Sequence, residues 1–136
     1  METAYRCFLY AGLQISGING EVAPAQWEYQ VGITKGIQCG DHMWLSRYIM
    51  GRVSELYGCD TNYDPKPVLG DWNGSGCHTN FSFKRTREEG GYEFIIKDCM
   101  PKMAKMHKEH ILIYGEGNHH RLTGLHETSS MEKFSY

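Results

Sequence analysis

Three groups of residues in this chain have types and spacings that suit chemistry. The first is the pair Glu21 and Glu28, which flanks Val22-Ala23-Pro24-Ala25-Gln26-Trp27. On a straight strand, residues seven apart face opposite ways, because side chains alternate with period two. Pro24 offers an escape: if Ala23-Pro24-Ala25 bends or bulges the strand, both carboxylates can meet on one hard divalent cation such as magnesium or manganese. On these residues alone, two solvated surface glutamates are the commoner case. The second group is the run from Lys66-Pro67 through Asp71-Trp72-Asn73-Gly74-Ser75-Gly76-Cys77-His78-Thr79-Asn80-Phe81-Ser82. Its glycines allow close approach of backbone to a ligand, and Asn73, His78, Asn80 and Ser82 supply polar contacts. On a strand His78, Asn80 and Ser82 share one face; a glycine turn beside one satisfied histidine is the plainer alternative. The third is Arg121-Leu122-Thr123-Gly124-Leu125-His126-Glu127-Thr128. Arg121 offers a planar fork to a carboxylate or phosphate, and Glu127 on a closing loop suits a general base. An ordinary surface ion pair accounts for the same residues equally well.

The histidines do not read as a zinc centre. His107 and His110 lie three apart and His119 and His120 are adjacent, but no cysteine stands at zinc spacing, and His126-Glu127 is followed by Thr128-Ser129-Ser130 rather than a second histidine. They are expected on a helix surface and in a loop.

The elements that must hold these groups can be read from periodicity. From Cys7 to Val31, aromatic and β-branched residues broken by Gly12, Gly17, Gly20 and Pro24 read as strand, bend and strand, a hairpin or meander. From Asp41, an expected N-cap, the residues Trp44, Leu45, Tyr48, Ile49, Val53 and Leu56 recur at helical steps as far as Gly58. A second helical stripe runs Tyr92, Ile95, Ile96, Cys99, Met103 and Met106 towards Tyr114, with Pro101 removing a backbone donor and kinking the rod. Asp60 to Phe83 reads as strand, turn, glycine loop and strand, and Gly115 to Glu127 as a functional loop.

Composition narrows the function classes. With 136 residues and 40% hydrophobic, one globular domain is the default, and a net charge of −2 provides no basic field for nucleic acid or anionic membranes. The five cysteines are scattered and never spaced C-x-x-C, so a reduced, cytoplasmic protein without a disulfide framework is expected. No apolar run reaches a membrane span of roughly 20 residues, and nothing after Met1 reads as a signal peptide.

Taken together, the segments resemble the glutamine synthetase family, eukaryotic type, from about Cys7 to Ser135. Lys66 to Ser82 is similar to that family's ATP-region signature, and Gly40-Asp41-His42-Met43-Trp44, Arg87-Glu88-Glu89-Gly90-Gly91, His107-Lys108-Glu109-His110, Tyr114-Gly115-Glu116-Gly117-Asn118 and Arg121 to Thr128 add further likeness. The resemblance implies an ATP-dependent ligation of ammonia to glutamate through γ-glutamyl phosphate, with Mg2+ or Mn2+ as cofactor, in a homo-oligomeric ring. It implies Glu21, Glu28 and His78 as metal ligands. It implies Asp71, Trp72, Asn73, Gly74, Ser75, Gly76 and Arg121 at glutamate, Asn80, Phe81 and Ser82 at the nucleotide, and Glu127 on a flap that closes over the intermediate. His120 departs from the family, standing where relatives carry a second arginine.

The resemblance also implies an α+β fold, a curved and mainly antiparallel sheet backed by helices. The expectation is an internal piece of the catalytic domain, 1–136, lacking the N-terminal β-grasp domain, its paired metal glutamates and the C-terminal end. Two other readings stay open: a truncated non-catalytic paralogue acting as a structural or interaction protein, and a ligase that joins another amine to glutamate.

Overall fold

The computed structural model describes residues 1–135. The architecture is mixed α+β, with several helices and a two-stranded antiparallel sheet among the described residues. It divides into two compact units, the first ending at Asn62 and the second starting at Tyr63.

The first unit opens with α1 (Glu2–Tyr10), not with the expected strand from Cys7. Ala4 and Phe8, one helical turn apart, are the buried pair that fixes its inner face. The chain then forms β1 (Ile15–Gly20) and β2 (Trp27–Val31), so the expected hairpin is present over a shorter span. Ile18 pairs with Tyr29 and Asn19 with Glu28, after an irregularity between Ile15 and Gly17. Because side chains alternate, Tyr29 and Val31 turn to the core while Glu28 and Gln30 lie on the other face with Asn19.

Helix α2 (Gln38–Leu56) begins three residues before the expected cap, so Asp41 sits in its first turn, where a carboxylate favours the helix dipole, and caps nothing. Its inner face is Ser46, Ile49, Met50 and Val53; Trp44, Tyr48 and Leu56 of the expected apolar stripe are exposed. The core is Ala4, Phe8, Leu13, Ile15 and Val53. Two contacts lock it. The Phe8 and Tyr29 rings are 5.2 Å apart, and the fully buried Ser46 hydroxyl donates to Met43 O at 2.7 Å while lying 3.0 Å from the Tyr29 hydroxyl.

The second unit departs further from expectation. No strand is formed between Asp60 and Phe83; the segment is extended and irregular, followed by a 3-10 turn at Lys84–Arg87. The expected Tyr92–Tyr114 rod is broken into α3 (Gly91–Phe94), a π-helical stretch Ile95–Cys99, α4 (Met100–Lys105) and α5 (His107–Ile113). The π turn ends two residues before Pro101, where the missing N–H and the ring's clash with the preceding turn make the regular α ladder unavailable. Gly91 opens this helix in close contact with the 3-10 turn: a Cβ there would stand 2.5 Å from Thr86 O. Within the expected Gly115–Glu127 loop lies one helical turn, α6 (Asn118–Arg121), entered through Gly117 at φ +77°. No described helix is long and apolar enough to cross a membrane.

Candidate functional site

In the first unit, the reversal between β1 and β2 contains Pro24. Gln26 N–H donates to Ala23 O at 3.0 Å, with Pro24 second and Ala25 third at φ +58°, the sign pattern of a type II turn. Glu21 N–H donates to Gln26 O at 2.9 Å and closes the reversal. Pro24 therefore acts through a chain reversal, not through a bulge in a continuous strand. Glu21 stands just past β1 and Glu28 on β2, and both accept from one atom: Asn19 Nδ2 donates to Glu21 Oε1 and to Glu28 Oε2, each at 3.1 Å. The same nitrogen lies 3.3 Å from Gly20 O.

In the second unit, Arg121 runs along the glycine segment. A Cβ at Gly74 would lie 2.7 Å from Arg121 Cγ, and one at Gly76 would lie 2.8 Å from its Nη2. The two glycines thus leave the groove in which the arginine lies, stem over Gly74 and guanidinium over Gly76. Arg121 Nε is buried and has no hydrogen-bond partner among the described residues, an orphan donor that suits an acceptor from outside the chain. Pro65 O accepts from Ser75 N–H at 2.9 Å, and Lys66 Nζ donates to Trp72 O, so Pro65-Lys66 also holds the segment.

The loop carrying Glu127 meets the start of that segment through His126 Nδ1, 3.3 Å from Asp71 Oδ1. His126 and Glu127 are both left-handed, at φ +53° and +61°, a conformation that costs a non-glycine residue about 1–2 kcal/mol. They are held there because Thr128 Oγ1 lies 2.9 Å from Arg121 O and 2.7 Å from Leu125 O, and Thr123 bridges Ser130. Glu127 itself is exposed.

The residues expected at a nucleotide are less gathered. His78 Nε2 and Asn80 Oδ1 are 3.1 Å apart, so they share a side without a strand. Ser82 Oγ accepts from Arg87 Nη1 at 2.8 Å, and Phe81 stacks on Phe83 at 6.2 Å. Phe81 lines a cavity of 60 Å³ with Ile95, Cys99 and Met103, against the roughly 300–1,000 Å³ of ordinary ligand pockets. The other histidines are engaged or displaced. His107 is no free surface residue: its Nε2 lies 2.9 Å from Met131 O and its ring 5.5 Å from Phe134, while His119 and His120 lie on α6, ring to ring at 3.9 Å.

For a hard cation, Glu21 and Glu28 fit as two converging oxygen donors, the ligand chemistry that magnesium and manganese take. Among the described residues no three His, Cys, Asp or Glu side chains come together as a complete shell, so the remaining positions belong to water or to other ligands. Sequence reasoning passed over Asn19, Gln30 and Pro65, and named His126 without giving it a role. For Asn19 and Gln30 a signal existed, since hairpin pairing puts both on the face of Glu28.

The glutamine synthetase catalytic-domain family matches residues 1–111. Over all 136 residues the chain is 56% identical to a glutamine synthetase of Neurospora crassa, spanning 37% of that protein. It is 55% identical over 134 residues, 98% of the chain, to a cytosolic isozyme of Medicago sativa, spanning 37% of it. It is 57% identical over 135 residues, 99% of the chain, to a chloroplastic enzyme of Oryza sativa subsp. japonica, spanning 31% of it. The chain thus spans about a third of the length of the curated relatives it matches, and these matches extend past the family-matched segment through Arg121 and Glu127. With the family match over most of its length, the chain belongs to the glutamine synthetase family.

Proposed function

We propose that this chain is part of a glutamine synthetase catalytic domain and contributes to ATP-dependent ligation of ammonia to L-glutamate. The glutamate γ-carboxylate takes the terminal phosphoryl group of ATP, releasing ADP; ammonia then attacks the acyl carbon and phosphate leaves. Glutamate, ammonia and ATP are the substrates, a homo-oligomeric ring is the assembly, and the cytoplasm is the compartment.

The observation that carries this reading is Arg121 lying in the groove of Gly74 and Gly76 with a buried, unpartnered Nε. In the proposed site Arg121 grips a glutamate carboxylate through its planar fork, and Asp71 to Gly76 shape the floor. Glu127, on the loop tied to Asp71 through His126, closes over the activated glutamate, keeps water out and takes a proton from ammonium at its carboxylate. Glu21 and Glu28 hold Mg2+ or Mn2+, and His78 serves a metal beside the phosphates, with Asn80, Phe81 and Ser82 at the nucleotide. When bound, the metal offsets phosphate charge as the phosphoryl group moves.

The test is steady-state glutamine formation by the whole polypeptide that the gene encodes, with Arg121→Leu and Arg121→Lys beside the wild type. Arg121→Leu is expected to raise KM for glutamate on the order of tenfold to a hundredfold, as for a lost charged hydrogen bond, and Arg121→Lys to recover only part of it. A wild type that forms no glutamine, or a KM for glutamate unmoved by Arg121→Leu, overturns the reading.

A further inference from the structure

We propose that Asn19, fixed by Gln30, is a positioning residue that sets Glu21 and Glu28 for a divalent cation; this rests on the assignment of those two carboxylates to a metal. Asn19 Nδ2 donates to Glu21 Oε1 and Glu28 Oε2 at 3.1 Å each, which ties one oxygen of each carboxylate to the same amide. The other oxygen of each, Glu21 Oε2 and Glu28 Oε1, is left to a cation. An amide can rotate and offer its oxygen instead, and two carboxylates beside that oxygen would repel it.

Gln30 decides the orientation. Its Nε2 donates to Asn19 Oδ1 at 2.7 Å, so the Asn19 oxygen is taken and its NH2 must face the glutamates. Gln30 in turn fits because position 17 is glycine: a Cβ there would stand 2.8 Å from Gln30 Oε1. Asn19, Glu28 and Gln30 share the outer face of the hairpin through the Asn19–Glu28 pairing, and the reversal after Gly20 returns Glu21 to the same place. This is the outer-sphere orientation of metal ligands that commonly accounts for about ten- to a hundredfold in affinity.

Charge and orientation predict opposite outcomes. Removing an N–H donor from between two carboxylates makes the site more negative, so a purely electrostatic site binds a cation more tightly. A site that depends on orientation binds it more weakly. The experiment titrates Mn2+ into the whole encoded polypeptide, freed of metal, and reads free Mn2+ by electron paramagnetic resonance, with thermal unfolding of each metal-free variant alongside. Asn19→Ala is expected to weaken Mn2+ binding about ten- to a hundredfold. Gln30→Met should weaken it less, and should cost nothing further in the Asn19→Ala background, because Gln30 acts through Asn19. Variants that lower the melting temperature but bind Mn2+ as tightly as the wild type overturn the inference, as does tighter binding by Asn19→Ala. If Glu21→Gln and Glu28→Gln leave Mn2+ binding unchanged, the metal assignment falls, and this inference falls with it. Binding lost on Glu28→Gln but kept on Asn19→Ala removes the positioning role alone.

Discussion

At the scale of single residues, Gly74 and Gly76 are not interchangeable, although both make room for Arg121. An alanine methyl at position 74 meets the Pro65 carbonyl at 2.5 Å, a backbone atom that cannot step aside without moving the segment. At position 76 the three atoms it meets first all belong to the flexible tip of the arginine. Gly74→Ala is therefore expected to destabilise by about 1–3 kcal/mol, read as a lower urea midpoint. Gly76→Ala is expected to leave that midpoint in place and to raise KM for glutamate in the whole protein, because it displaces the guanidinium proposed to grip that substrate. Equal effects of the two variants on stability would contradict this. Residue types told most of the candidate list, since glycine, arginine and glutamate at these spacings already suggested ligand chemistry. What they could not tell was contact. That Asn19 stands between Glu21 and Glu28, or that His126 reaches Asp71, depends on chain reversals whose geometry is not carried by spacing.

At the scale of elements, the π turn is the feature with the clearest cause. Pro101→Ala restores a donor, and the expected outcome is a regular helix through Ile95–Cys99, seen as a more negative ellipticity at 222 nm. Loss of the extra residue in that turn rotates the following helix by about 100°, which carries Met103 away from Phe81 and Phe83. Unchanged helicity would show that the π turn has another cause. Periodicity made α2 and the break at Pro101 legible. It misread α1, because Cys-Phe-Leu-Tyr is strand-like in composition and only the packing of Ala4 and Phe8 into the core declares a helix. It also read strands around His78, where alternating polar residues looked like one face. A strand needs a neighbour for its N–H and C=O groups, and among the described residues that segment has no ladder partner.

At the scale of the whole molecule, the fold buries little. Among the described residues of the second unit only Gly91 is buried, and all five core side chains belong to the first. The accessible surface is 10,356 Å², whereas even two separate globules sharing this mass would expose roughly 8,700 Å². Trp44 at 72%, Leu112 at 81% and Ile113 at 79% exposure are apolar surface of the sort that partners usually cover. The 136-residue chain made by itself is expected to self-associate, eluting from a sizing column ahead of a monomer and increasingly so at higher salt. A monomer that unfolds in one cooperative thermal transition would contradict that. The stripe of Trp44, Tyr48 and Leu56 marked a helix, but periodicity reports an apolar face and not what lies against it, and in this fold those three side chains are exposed.

The arginine groove also constrains how this chain can drift over evolutionary time. Positions 74, 76 and 121 are bound together by space, but unequally. A lineage that exchanges Arg121 for a small residue relieves position 76, because the three atoms nearest a Cβ there, at 2.8 to 3.4 Å, all belong to that arginine. Position 74 stays glycine regardless, held by the Pro65 carbonyl. Loss of the arginine should therefore leave an asymmetric scar, a side chain appearing at 76 while 74 remains bare.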